Sequence, residues 1–205
     1  KLLLCGDHEI ALAGAMQTPG CVLIAGTGSI CYGKNAAGEH FRCGGGGHII
    51  DDPGSGYALG RDALAAALQT EDGRLSENAL HGAVMDTVGG SGIQGIFDFV
   101  YFSRRGKGDI AALAPLVLRC AAQGDAVSLD ILRRGAAELA RLVSAVMGKL
   151  GLENGSPCAL AGGLLAEDNV YRRAVCAALA PFCRPAAPEH DALFGAVQLA
   201  LAAIQ

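Results

Sequence analysis

Three short runs near the start of the chain have the apolar and alternating patterns that are typical of strands. A Gly-Thr-Gly-Ser sequence separates the first two, and residues 35–39 between the last two have the composition of a hairpin turn. The predicted strands are Cys21–Ala25, Ile30–Gly33 and His40–Cys43. Because the connections are this short, we expect a three-stranded antiparallel meander.

After residue 56 the apolar positions recur with the period of a helix, and two further strand-like runs interrupt them. The predicted helices are Tyr57–Leu68, Ser76–Val88, Ile110–Gln123, Ala126–Leu150, Val170–Leu179 and Leu193–Ile204. The predicted strands are Cys158–Ala161 and Cys183–Ala186, and residues 89–108 are predicted to be a glycine-punctuated connection. This order predicts an α/β domain with a mixed sheet that helices cover on both faces.

The composition of the 205 residues is that of a domain with a large core, since 51% are hydrophobic and 18% are charged. A net charge of −4 gives no electrostatic reason to expect nucleic acid or an anionic membrane as a partner. No apolar run reaches the ~20 residues that span a bilayer, and Lys1–Cys5 is too short for a signal sequence. The eight cysteines form no Cys-x-x-Cys pair, which favours reduced thiols, no metal site and a cytoplasmic protein.

The loop Gly26–Ser29 follows a buried strand run and is a candidate phosphate site. Backbone N–H groups in such a loop can converge on an anion, and the two hydroxyls add donors, but an ordinary strand-ending turn has the same composition. A Rossmann dinucleotide loop is disfavoured because a strand follows instead of a helix. In addition, Cys31 stands where the third glycine of that fingerprint would be.

A run of four glycines, residues 44–47, precedes the adjacent acids Asp51 and Asp52 and the helix start Gly54–Gly56. Bare backbone lets a sugar ring approach closely, and carboxylates accept hydrogen bonds from sugar hydroxyls. The alternative is a capped helix that follows a flexible loop.

Asp7 lies between the apolar run Leu2–Cys5, which predicts a strand, and the apolar start of a helix. A carboxylate at this position can accept a proton from an attacking hydroxyl, and the alternative is an N-cap of the following helix. His8 and His48 are isolated histidines, and structural or surface roles are favoured for both.

Six motifs occur in the order that is typical of the N-acetylglucosamine kinase family, and together they cover nearly the whole chain. The six motifs are Asp7–Ala15, Ile24–Ser29, Cys43–His48, Asp52–Ser55, Gln123–Asp125 and Ala161–Gly163. The chain resembles the C-terminal two-thirds of that family, which belongs to the BadF/BadG/BcrA/BcrD-type ATPases of the actin, hexokinase and Hsp70 superfamily. The resemblance implies a ribonuclease-H-like (actin-like ATPase) domain with a helical insertion at about residues 57–123.

The resemblance also implies a role for each matching residue, with ATP and Mg²⁺ as cofactors and a small sugar as substrate. Asp7 would be the catalytic base toward the sugar 6-hydroxyl. The implied ATP contacts are Gly26, Thr27, Gly28, Gly124, Gly162 and Gly163. The implied sugar contacts are Ser29, Ile30, Gly45, Gly46, Gly47 and Asp52. Separately, the apolar closing helix offers a surface for a homodimer.

Three features depart from the family pattern. The family usually has an aromatic residue in place of Gly46 and Gly-Asp-Glu-Gly-Ser in place of residues 51–55, where this chain has Pro53. The N-terminal domain with its Asp-x-Gly-Gly-Thr phosphate loop is missing, so we expect the chain to be part of a longer protein. Two alternatives to an amino-sugar kinase are an ATPase activator of a radical dehydratase or reductase, and a non-catalytic nucleotide- or sugar-binding fragment.

Overall fold

A five-stranded sheet organises the computed structural model, which describes residues 4–89, 91–102 and 104–204. Its strands are β1 (Gly20–Ala25), β2 (Ser29–Lys34), β3 (His40–Gly44), β4 (Pro157–Ala161) and β5 (Arg184–Ala186). The order across the sheet is β3-β2-β1-β4-β5. The first three strands form the predicted antiparallel meander, and β4 pairs in parallel with both β1 and β5. The predicted mixed sheet is therefore confirmed.

The helices that the structure describes account for most of the remaining chain. They are α1 (Asp7–Ala15), α2 (Gly56–Glu71), α3 (Ala79–Val88), α4 (Gly92–Phe97), α5 (Lys107–Ala111), α6 (Ala114–Ala122), α7 (Ala126–Leu150), α8 (Val170–Leu179) and α9 (Ala192–Ala202). The long helix α7 has the predicted ends. The Asp125 carboxylate accepts a hydrogen bond from the Ser128 N–H at 2.8 Å, and Gly151 has the left-handed conformation that ends many helices.

Apolar side chains cover both faces of the sheet, as the strand and helix order predicts. Cys21, Leu23 and Ala25 of β1 belong to the larger core, which also contains one side of α7. Val22 points to the other face and belongs to a smaller cluster with Leu12 of α1. Helix α9 packs on α1 on that second side. The alternation along β1 explains the two clusters, because successive strand residues point to opposite faces.

Several predicted boundaries were wrong for local reasons. Residues 92–102 form α4 and a π-helical turn instead of a glycine-punctuated connection, because Ile96 and Phe99 bury an apolar side there. Helix α3 starts later than predicted because the Asn78 side chain caps it, accepting the His81 N–H at 2.9 Å. The predicted strand before Asp7 falls partly on residues 1–3, which lie outside the described residues, and residues 4–6 have no regular secondary structure.

The helices α2 to α6 occupy the stretch between β3 and α7, where the helical insertion is predicted. The predicted helix over residues 110–123 is divided there into α5 and α6, with Pro115 in the first turn of α6. The division of the chain into a core and an insertion stays a prediction. Within the described part of the chain, no single helix is long and apolar enough to cross a membrane. One pair, residues 107–122 with α7, meets that test on length and composition but is bent by 118°.

Candidate functional site

A cleft of about 390 Å³ opens where β1 ends, and four separate parts of the chain line it. We call this cleft the first cavity. The predicted site residues that line it are Asp7, Gly26, Thr27, Gly28, Ser29, Ile30, Gly45 and Asp52. The structure thus brings the candidate base, the glycine loop and the candidate sugar carboxylate to one place.

The backbone of the glycine loop has its carbonyl groups paired and two N–H groups available. The Gly26 carbonyl accepts a hydrogen bond from the Gly56 N–H at 2.7 Å, and the Thr27 carbonyl accepts one from the Tyr57 N–H at 3.3 Å. These bonds attach the loop to the first turn of α2. Among the residues that the structure describes, no acceptor pairs with the N–H of Thr27 or Gly28. The loop therefore presents unpaired donors, together with the exposed Thr27 hydroxyl, as an anion site requires.

Asp52 is the buried carboxylate of the first cavity, with only 3% of its surface exposed. Its Oδ1 accepts a hydrogen bond from the Ser29 N–H at 3.1 Å, and its Oδ2 lies 2.7 Å from the Lys107 Nζ. A carboxylate has about four lone-pair sites, so these two donors leave capacity for hydroxyl groups of a ligand. The Ser29 hydroxyl donates to the Pro53 carbonyl at 2.7 Å, which further ties the glycine loop to the Asp52 segment.

The adjacent acids Asp51 and Asp52 point in different directions. The Asp51 carboxylate folds back and accepts a hydrogen bond from the Gly46 N–H at 2.8 Å. An added Cβ at Gly46 would lie 2.8 Å from an Asp51 carboxylate oxygen, so an aromatic side chain there would need a different local arrangement. Gly45 lines the first cavity, whereas Gly46 and Gly47 are not among its lining residues. The sugar-contact roles of Gly46 and Gly47 stay predictions.

Asp7 is the first residue of α1, and its side chain is 94% exposed. The N-cap alternative is wrong, because Gly6 occupies that position and its N–H donates to the Glu9 carboxylate at 3.0 Å. The Asp7 Oδ1 instead accepts the His8 N–H at 2.8 Å and lies 3.3 Å from the His8 Nδ1, and both side chains line the first cavity. The His8 ring also makes an edge contact with Tyr32 at a centroid distance of 4.7 Å, and its structural role stays a prediction.

A second cavity of about 390 Å³ shares Gly26 and Thr27 with the first. Gly163 lines it, together with Gly108 and Ala111 of α5. The two glycine motifs meet because β1 and β4 are parallel neighbours, so their carboxyl ends lie at the same edge of the sheet. The chain leaves β1 toward β2 and leaves β4 toward β5, in opposite directions across the sheet. Crevices at such points are the usual ligand sites of α/β sheets.

Gly162 allows this close approach of the two strand ends. Its φ is +89°, and an added Cβ would lie 2.4 Å from the Ala25 carbonyl oxygen. Gly163, by contrast, has open space where a Cβ would be. Gly124 lies in the turn between α6 and α7 and lines neither cavity. Its predicted nucleotide contact stays a prediction.

Two cationic residues were not predicted from the sequence, one that lines the first cavity and one that pairs with its buried carboxylate. Arg42 of β3 lines it, and Lys107 at the start of α5 pairs with Asp52. The one available signal for Lys107 was its position between two glycines in a basic stretch, which does not reveal a partner 55 residues away. In the described ranges, no group of three or more His, Cys, Asp or Glu side chains is placed to hold a metal ion.

The strand order, with its antiparallel meander followed by two parallel strands, is that of a ribonuclease-H-like domain of the actin-like ATPases. The expected fold class is therefore confirmed. The sequence pattern of the BadF/BadG/BcrA/BcrD ATPase family matches residues 1–200, and the chain belongs to that family.

Known relatives of the chain include two kinases of amino sugars. It is 41% identical over 155 residues to the N-acetylmuramic acid/N-acetylglucosamine kinase of Clostridium acetobutylicum, covering 75% of this chain and 51% of that protein. It is 31% identical over 174 residues to the N-acetyl-D-glucosamine kinase of Dictyostelium discoideum, covering 82% and 53%. The chain thus spans about half the length of these curated relatives.

A solved structure agrees with the sequence relatives. A Chromobacterium violaceum protein assigned as an N-acetylglucosamine kinase superposes with a TM-score of 0.77 at 32% identity. The superposition covers 96% of this chain and 65% of that protein.

Proposed function

We propose that the full-length protein uses ATP to phosphorylate a hydroxyl of an amino sugar, with N-acetylglucosamine as the best substrate candidate. The observation that carries this proposal is that Asp7, the Gly26–Ser29 loop and Asp52 line a single cavity. The activities named for the two curated relatives give the substrate class. Groups that could bind a sugar and groups that could bind phosphate, from the exposed Asp7 carboxylate to the glycine loop, therefore lie side by side in this cavity.

Asp7 would act as the general base. Phosphoryl transfer passes through a loose transition state, so catalysis depends mainly on the position of the hydroxyl and on stabilisation of the phosphate charge. The Asp7 carboxylate is accessible and faces the cavity, so it can orient the sugar hydroxyl and accept its proton. Asp52, with Ser29, Ile30 and Gly45, would hold the sugar by accepting its other hydroxyls and by contact with its ring.

The phosphates of ATP would lie against Thr27 and Gly28, whose N–H groups are available as donors. The second cavity, with Gly26 and Gly163 at the adjoining strand ends, would take the adenosine side of the nucleotide. Mg²⁺ would enter with the nucleotide, held largely by phosphate oxygens and water, and would neutralise phosphate charge. We assign it no protein ligand. A cytoplasmic location and a homodimer belong to the same proposal, the latter because α9 exposes apolar side chains.

A substrate screen tests the proposed function. Purified full-length protein is incubated with ATP and Mg²⁺ and with hexoses and N-acetylated amino sugars, and the products are identified by mass spectrometry and phosphorus NMR. We expect ATP-dependent formation of an amino-sugar 6-phosphate. ATP hydrolysis without transfer to any sugar would contradict the proposal, and visible absorbance of an iron–sulfur cluster would favour an ATPase activator. Binding of sugar and nucleotide without either reaction would favour a non-catalytic binding module.

A further inference from the structure

The ion pair between Lys107 and Asp52 joins two parts of the chain that are far apart in sequence. Lys107 is the first residue of α5, and its Nζ lies 2.7 Å from the Asp52 Oδ2. The Asp52 side chain is 4% exposed and that of Lys107 is 31% exposed. The carboxylate is therefore almost completely buried, while the lysine side chain is partly exposed.

The helix that carries Lys107 is fixed independently of Asp52. The Gly106 N–H donates to the Asp109 carboxylate at 2.8 Å, which closes the first turn of α5. Gly108 and Ala111 of the same helix line the second cavity, and α5 packs on α2. Lys107 therefore belongs to a helix that lines the second cavity, and its side chain reaches the Asp52 carboxylate of the first cavity.

Asp52 needs a partner to keep its conformation. Its φ of +59° is unusual for a residue with a side chain, and no other non-glycine residue in the described part of the chain has a positive φ. A buried carboxylate without a cation nearby carries an uncompensated charge, which proteins rarely tolerate. The Ser29 N–H is the second donor to this carboxylate, so the orientation of Asp52 also affects the glycine loop.

We propose that Lys107 is a positioning residue, which holds the Asp52 carboxylate in the orientation in which it lines the first cavity. The inference rests on the proposed function, because the oriented carboxylate would recognise sugar hydroxyls there. Lys107 acts through Asp52 and has no direct part in phosphoryl transfer.

The first test needs neither sugar nor ATP. Hydrogen–deuterium exchange of the peptide that contains Ser29 is compared in the full-length protein and in its Lys107→Met and Lys149→Met variants. Lys149 is an exposed lysine on α7, so its variant controls for loss of a charge. We expect the Ser29 peptide to exchange about tenfold faster, or more, in Lys107→Met only. Unchanged exchange in that variant would overturn the proposal, whether or not the protein is a kinase.

The second test uses sugar kinetics in the same full-length variants. Losing the orientation of this acceptor should raise the KM for the sugar about 10- to 100-fold, while kcat changes less than about threefold. Lys107→Arg keeps a cation, so its increase in KM should be at most half that of Lys107→Met on a logarithmic scale. If thermal unfolding shows that Lys107→Met is not folded, Lys107→Gln replaces it, because the glutamine amide can donate a hydrogen bond without carrying a charge. An unchanged KM, or an equal loss in Lys149→Met, would contradict a positioning role.

Discussion

At the scale of single residues, backbone conformation gives neighbouring identical side chains different surroundings. Asp51 and Asp52 are adjacent, yet Asp51 bonds to the Gly46 N–H and Asp52 bonds to Ser29 and Lys107. The positive φ of Asp52 turns its side chain inward, where Gly28 leaves the necessary room. The sequence predicted that an acid here binds a ligand. It did not reveal the ion pair with Lys107, because that contact depends on how α5 packs.

Tyr171 provides a test of how the Asp52 segment is anchored. Its hydroxyl is fully buried and donates to the Gly54 carbonyl at 2.6 Å. Tyr171→Phe leaves that carbonyl without its donor, so the free energy of unfolding should fall by about 1–3 kcal/mol. Thermal unfolding measures the loss, and Tyr101→Phe, at a 72% exposed tyrosine, should be nearly neutral. Equal stability of the two variants would show that the buried bond contributes nothing.

The free energy of unfolding should also depend on pH through Tyr171. Burial raises the pKa of Tyr171 above its usual value. The unfolded chain therefore loses this proton first, near a pKa of about 10, and stability should decline as the pH rises above that value. Tyr171→Phe should lack this part of the decline in pH-dependent unfolding measurements. An identical decline in wild type and variant would contradict the assignment.

At the scale of elements, hydrophobic period and glycine position were sufficient to predict most of the sheet. All five strands and the ends of α7 follow from local sequence, because each has its own apolar pattern and its own turn or cap residues. The segment 92–102 was missed because its glycines suggested breaks, whereas burial of Ile96 and Phe99 makes it helical. Contacts between elements, such as α5 with Asp52, lie beyond such local signals.

The pair Gly162 and Gly163 tests the meeting of β1 and β4. Gly162→Ala places a Cβ 2.4 Å from the Ala25 carbonyl oxygen at a φ of +89°, so we expect a loss of about 1–3 kcal/mol or more in unfolding free energy. Gly163→Ala meets no neighbour and should change stability by less than about 0.5 kcal/mol. Because Gly163 lines the second cavity, the proposed nucleotide site predicts that the added methyl group weakens ATP binding in a titration. If Gly162→Ala were as stable as the wild type, the ends of β1 and β4 would have to lie farther apart than the structure shows.

At the scale of the whole molecule, α9 presents an apolar face that the described residues do not cover. Leu193, Val197 and Leu201 are 74%, 51% and 53% exposed. Water contact with such a stripe is unfavourable, and we expect it to mediate a homodimer. Light scattering should find a dimer for the wild type and a monomer for Val197→Glu, while Leu129→Glu on α7 keeps the dimer. A monomeric wild type would contradict this expectation.

The proposed phosphoryl transfer requires Asp7 to act on a sugar hydroxyl in the first cavity. The most direct measurement is kcat for ATP-dependent phosphorylation of N-acetylglucosamine by the full-length protein and its Asp7→Asn variant. We expect kcat to fall by about 10²–10⁴-fold, the range for loss of a general base, with a smaller change in KM. The control Asp51→Asn keeps an acceptor for the Gly46 N–H and should retain kcat within about threefold. A kcat for Asp7→Asn near that of the wild type would contradict the assignment of the base and make Asp52 the next candidate.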